Sequence, residues 1–164
     1  MNIQIATEQI LEDVLLFLSK LDNKLYAQPI PALFNGTLGK HTRHLIELYQ
    51  CLLFRKQIDL VNYDARIRDP KLETNLEAAT KAIHQIKNKL SETSLEEQFY
   101  LSSLLTPNQK TPTNITRELL FNHDHCVHHL ALMKIGLNII RPNITLPNHL
   151  GIAVSTLKYK EANN

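Results

Sequence analysis

Apolar residues recur at three- and four-residue spacing over four long stretches of the chain, the pattern of amphipathic helices. The first stretch covers residues 3–21, where Ile10, Leu11, Val14, Leu15, Leu18 and Leu21 share a face. A proline-bearing connection over 28–35 follows. Thr37 then stands at an N-cap position, ahead of a second helix that runs through His41, His44, Leu45, Leu48 and Leu52 to about residue 57. The charged segment 61–73, broken by Pro70, reads as a loop. Thr74-Asn75-Leu76-Glu77 matches a capping box, and Leu76, Ala79, Ile83, Ile86 and Leu90 carry a third helix to about residue 91.

Residues 97–105 fit either a short strand or a buried turn, and 106–114, with two prolines, reads as a polar loop. The fourth helix is expected over 114–137, closed by Gly136 or Asn138. Beyond Arg141 the chain reads as an irregular tail with one short helix over 154–159. Four helices with long connections make the expected fold an all-α four-helix bundle, a single domain over residues 1–164.

Composition adds limits. The chain has 164 residues, enough for one core without staples. Hydrophobic residues are 43% and charged ones 21%, which excludes a disordered chain. Eighteen Lys and Arg against 16 Asp and Glu leave no strongly basic footprint, so no nucleic-acid partner is expected. No apolar run is long enough to span a bilayer, and Glu8, Glu12 and Asp13 interrupt what a signal peptide would need, so the expected location is cytoplasmic. Cys51 and Cys126 are too few for a disulfide framework or a thiolate zinc site.

Histidine carries the candidate chemistry. Four of eight (His123, His125, His128 and His129) lie within seven positions of the fourth helix. At about 100° per residue, Ile115, Leu119, Asn122, Cys126, His129, Met133 and Gly136 form one sector, with His125 beside it. His125 and His129 are an i, i+4 pair facing the core, with Cβ atoms about 6 Å apart. Both can reach one ion at about 2.0–2.1 Å. A third ligand must come from another helix. His41 and His44 of the second helix are the candidates, His41 being the more central on the wheel. His41, Glu118 and Asn122 are also candidates for groups supporting the ligands or acting as acid and base. In the loop, Arg66 and Arg68 could hold an anionic substrate group, or pair with Asp64 or Asp69. His84 and His149 have no assigned role.

The string GTLGKHTRHLIELYQCLL, followed downstream by RELLFNHDHCVHHLALMKIGL and LGIAVSTLKYK, resembles the DinB-like (damage-inducible) superfamily of metal-binding four-helix bundles, over residues 33–159. The resemblance implies an up-down-down-up bundle whose three histidines bind a divalent ion, zinc or nickel, in an open facial triad. In the family pattern the first ligand follows the helix-opening residue by about eight positions. Gly36 stands at that opening position here, which selects His44, with His125 and His129 from the last helix. It further implies a homodimer, with Leu120, Val127 and Ala131 as outward apolar residues, and a metal-dependent enzyme acting on a small molecule. The activity expected is that of a transferase using a low-molecular-weight thiol, or of a hydrolase. The alternatives are a non-catalytic metal-binding or dimerising bundle, and a metal-free interaction module with core histidines.

Overall fold

The computed structural model describes residues 2–57 and 59–163. Each long helix starts at a polar side chain that accepts a hydrogen bond from the exposed first-turn amides. Asn2 caps α1 (Ile3–Leu18), Thr37 caps α3 (Leu38–Leu53), Asn75 caps α5 (Leu76–Ser91) and Asn114 caps α6 (Ile115–Ile140). Shorter helices fill the connections: α2 (Asn23–Tyr26), α4 (Pro70–Thr74) and, in the tail, α7 (Val154–Ala162). No helix among the described residues is long and apolar enough to cross a membrane.

The fold is mostly helical. Helix α3 packs on α5 and α6, and α1 packs on the same two helices, so the apolar faces read from the sequence meet in one interior. Phe17, Leu38, Leu52, Ile83, Ile86, Leu90, Ile115 and Leu119 are fully buried there. Each such side chain contributes about 1.5–3 kcal/mol by leaving water.

The all-α expectation needs one correction. A three-stranded sheet, ordered β1-β2-β3, is built from β1 (Leu60–Val61), β2 (Gln98–Ser102) and β3 (Lys110–Asn114). Strand β2 resolves the ambiguity over 97–105, and β3 replaces the loop expected over 106–114. Strands β2 and β3 pair antiparallel, from Gln98 opposite Asn114 to Ser102 opposite Lys110, and β1 runs parallel to β2. Thr111 and Thr113 favour extended backbone, and Pro112 is tolerated because β3 is an edge strand. The hairpin places Asn114 directly at the start of α6.

Several boundaries also move. The first helix ends at Leu18 and the second at Leu53. The cap of α5 is Asn75, one residue after the expected Thr74, whose hydroxyl donates back to the Pro70 carbonyl at 3.2 Å. Helix α6 runs through Gly136 and Asn138 to Ile140. Gly136 is there for contact, not termination: a Cβ would lie 2.7 Å from Leu33 Cδ1. The tail is more ordered than expected. Lys134 Nζ donates to the carbonyls of Pro147, Asn148 and Leu150 at 3.1, 3.1 and 3.3 Å, and His149 Nε2 sits 3.0 Å from Asp13 Oδ1. Gly151 lies on the backbone of Ala131, and Val127 packs against the core, so of the three outward residues expected on α6 only Leu120 is exposed.

Glycine at position 39 sets how closely α4 approaches α3. A Cβ there would lie 1.9 Å from the Glu73 carbonyl oxygen, a backbone atom that cannot swing aside. Gly39→Ala is therefore expected to cost about 3 kcal/mol or more, and Gly136→Ala, which meets the end of a leucine, clearly less. Thermal unfolding followed by circular dichroism checks the order, and equal melting temperatures would contradict it.

Candidate metal centre

Helices α3 and α6 bring four imidazoles into one place. His41 and His44 are one turn apart on α3, and His125 and His129 one turn apart on α6, so the packing of the two helices sets two pairs against each other. His44, His125 and His129 each turn one ring nitrogen inward, and the three atoms lie within 4.8 Å of one another. His125 Nε2 is 2.8 Å from His44 Nε2 and 3.0 Å from His129 Nε2. His41 approaches from the other side, its Nδ1 2.8 Å from His129 Nδ1. All four rings are half-buried.

Hydrogen bonding alone does not satisfy this arrangement. A neutral imidazole nitrogen carries one proton or one lone pair, and His125 Nε2 faces two nitrogens at once. A cation shared by three lone pairs removes the conflict. Nitrogens held tetrahedrally at about 2.0–2.1 Å from zinc stand about 3.3 Å apart, a few tenths of an ångström wider than here. If His129 presents an unprotonated Nε2, its Nδ1 carries the proton and donates to His41 Nδ1. That is the orienting contact expected behind a ligand histidine. His41 therefore stands behind the cluster and His44 within it.

Electrostatics favours uncharged rings. Burial lowers the His41, His125, His44 and His129 pKa values, and the neighbouring histidines and Arg66 add to the effect at His44 and His125. His44 falls to about 4 and His129 to about 3, so their lone pairs are available at neutral pH.

Glu118 and Asn122 lie on the same face of α6, and they hold a loop. Glu118 is fully buried and accepts from Tyr63 Oη at 2.9 Å, Thr113 Oγ1 at 2.6 Å and Arg117 Nη1 at 2.9 Å. Asn122 Nδ2 donates to Tyr63 Oη and to the Glu118 carbonyl, both at 3.0 Å. Tyr63 in turn touches Phe121, whose ring stacks on His125 at 5.6 Å between centroids.

The other side of that loop is anchored by a second buried acid. Glu47 accepts the Asp69 amide at 2.9 Å and faces Arg66 Nε at 3.4 Å and Arg43 Nε at 3.5 Å. The pairing expected within the loop is not found: Asp64 accepts the Leu104 amide and Asp69 caps α4. Arg66 is close enough to act on His44 and His125, whereas Arg68 is exposed and is not brought to the cluster.

Glu47, Tyr63 and Phe121 were missed by sequence reading. Glu47 had a readable signal, a lone acid inside the apolar stripe of Leu45, Leu48 and Leu52, three residues after His44. Tyr63 had none, since a loop carries no periodicity.

No family model matches the chain. It is similar to FK506-binding protein 5 of Rhizopus delemar, 28% identical over 109 residues that cover 62% of this chain and 28% of that protein. The chain thus spans little more than a quarter of that relative's length. No solved structure matches.

Two outcomes are expected. A histidine with a depressed folded pKa binds fewer protons folded than unfolded, so acid favours the unfolded chain. The metal-free protein should lose stability as pH falls below about 6.5, the loss continuing to about 4 for His44 and about 3 for His129. Urea midpoints measured across that window should fall with acid, and less steeply in His44→Ala and His129→Ala. Separately, Glu118→Ala leaves the Tyr63 and Thr113 hydroxyls without their acceptor, while the exposed Arg117 turns to water. It should cost about 1–3 kcal/mol, with Glu118→Gln milder, read from the same unfolding curves.

Proposed function

We propose that the chain is a metal protein of the DinB-like type, an up-down-down-up four-helix bundle in which His44, His125 and His129 hold one divalent ion, zinc or nickel. On this reading it is a cytoplasmic homodimer and an enzyme, a thiol-dependent transferase or a hydrolase acting on a small molecule. One observation carries it: His125 Nε2 faces two other ring nitrogens at hydrogen-bonding distance, a conflict that a shared cation resolves.

The three ligands are neutral and come from two helices, which leaves at least one coordination position for water or substrate. A divalent ion in such a setting supplies Lewis acidity, lowering the pKa of a coordinated water or thiol. The protein's own groups do the rest. His41 Nδ1 accepts the hydrogen bond from His129 Nδ1–H and fixes that ring's orientation. Phe121 stacks on one face of His125 and limits its rotation. Glu118 and Glu47 hold Tyr63 and Arg66, which border the cluster on its loop side. Neither cysteine takes part: Cys126 is fully buried with its thiol pKa raised by burial, and Cys51 points to the Asn62 carbonyl, so any thiol in the reaction arrives with the substrate.

Protein purified without a histidine tag should carry close to one equivalent of metal by elemental analysis and lose it in the His44→Ala, His125→Ala, His129→Ala triple variant. His41→Ala should keep the stoichiometry while weakening affinity about 10–100-fold. Metal retained by the triple variant would sink the ligand assignment. Turnover of a thiol and leaving-group panel by the loaded protein separates the enzyme from a bundle that uses the ion only as a tie between α3 and α6; in that second case chelation lowers the melting temperature and no substrate is consumed.

A further inference from the structure

A groove of about 440 Å³ opens between the C-terminal half of α3 and the segment that follows it, within the size range of small-molecule sites. Its walls are apolar at Phe54, Leu60 and Ile67, and its charges are unbalanced. Arg55, Lys56 and Arg66 line it against a single carboxylate, Glu47.

The distribution of those charges decides what the groove can take. Arg55 is committed elsewhere, ion-paired with Glu97 and lying 4.4 Å over the Phe99 ring. Arg66 is held by its Nη1, which donates to the Tyr63 carbonyl at 3.0 Å, while its Nε is buried without a well-aligned acceptor. Glu47 is 3.4 Å from that nitrogen and shared with Arg43 at 3.5 Å, so neither contact is a close bidentate pair. Arg43 has its own partner in Glu73 at 2.7 Å. Lys56 adds a further positive charge at the exposed rim.

We propose that this groove binds a small organic carboxylate, with Arg66 and Lys56 as the cations that select it and the apolar walls receiving its hydrocarbon body. Arg66 lines the groove and its charge also acts on His44 and His125, so a ligand anchored on it is held by a residue that the histidine cluster feels. The inference rests on the metal-centre reading in one respect: the carboxylate is taken to belong to the substrate of that centre. Planar guanidinium groups favour carboxylates through paired N–H donors, and a partly dry wall strengthens the contact.

Cys51 lines the groove and is half-buried, while Cys126 is fully buried, so alkylation of the folded protein reports on the groove alone. Iodoacetamide labelling of Cys51, followed by mass spectrometry at mildly alkaline pH, is compared with and without 3-phenylpropionate. Its neutral amide and inorganic phosphate serve as controls. A bound ligand at ten times its Kd should slow labelling about tenfold. The amide and phosphate should give little protection, Arg66→Gln should abolish it, Arg66→Lys should keep part, and Lys56→Gln should weaken it. Lys56 is exposed, so that variant remains informative even if Arg66→Gln fails to fold.

Protection by the amide equal to that by the acid, or protection unchanged in both Arg66→Gln and Lys56→Gln, would overturn the proposal. So would equal protection by phosphate, which would make charge alone the selector. The labelling is done on zinc-loaded and chelated protein. Protection without metal uptake leaves the groove standing and the metal centre fallen. Metal uptake without protection does the reverse.

Discussion

The close packing of α3 against α6 is the constraint on which the rest of the molecule depends. Both helices carry histidines at i and i+3 or i+4, and such pairs are inert until a second helix arrives at the right height and rotation. Small and flexible groups allow that approach. Gly136 gives Leu33 room against α6, and Thr42 on α3 sits with its hydroxyl 3.6 Å from Met133 Sδ on α6. Leu45 and Leu52 on α3 and Leu119 and Cys126 on α6 belong to one buried apolar cluster, so the contact cannot slide without opening a cavity.

Two buried carboxylates then decide what stands beside the cluster. Glu47 lies on α3 three residues after His44, and Glu118 on α6 seven residues before His125. Burying an acid is costly unless donors or cations face it. Glu118 accepts from Tyr63, Thr113 and Arg117, and Glu47 accepts the Asp69 amide and faces Arg43 and Arg66. The result is a loop tied at both edges, by Tyr63 to α6 and by Arg66 and Asp69 to α3. An irregular segment is thereby tied to both helices, which is what a binding wall requires.

Much of this was legible in the sequence because helices announce themselves through period and caps. The α3 cap at Thr37, the buried sector of α6 and the facing of His125 and His129 follow from spacing alone. Choosing between His41 and His44 did not, since both lie near the same stripe. The difference between a ring inside the cluster and one behind it is a matter of which nitrogen meets which, set by tertiary packing. The sheet was hidden for a different reason: β3 is a short, mostly exposed edge strand with a proline, stabilised by pairing with β2 rather than by its own preference. Gly136 misled because a glycine near a helix end serves equally as a terminator or as a contact point. The loop pairing failed because the partner acid, Glu47, sits outside the loop, on α3.

His44 and His125 are 81 residues apart in the chain, and His41 and His129 are 88 apart. Bringing such distant positions together requires loop closure that only the finished core repays. The unfolded chain offers at best a fluctuating one-turn pair on a nascent α6. Whatever the imidazoles bind, its binding free energy therefore enters the global folding equilibrium almost undiminished, and the cluster acts as a late latch on a fold whose halves must already have met.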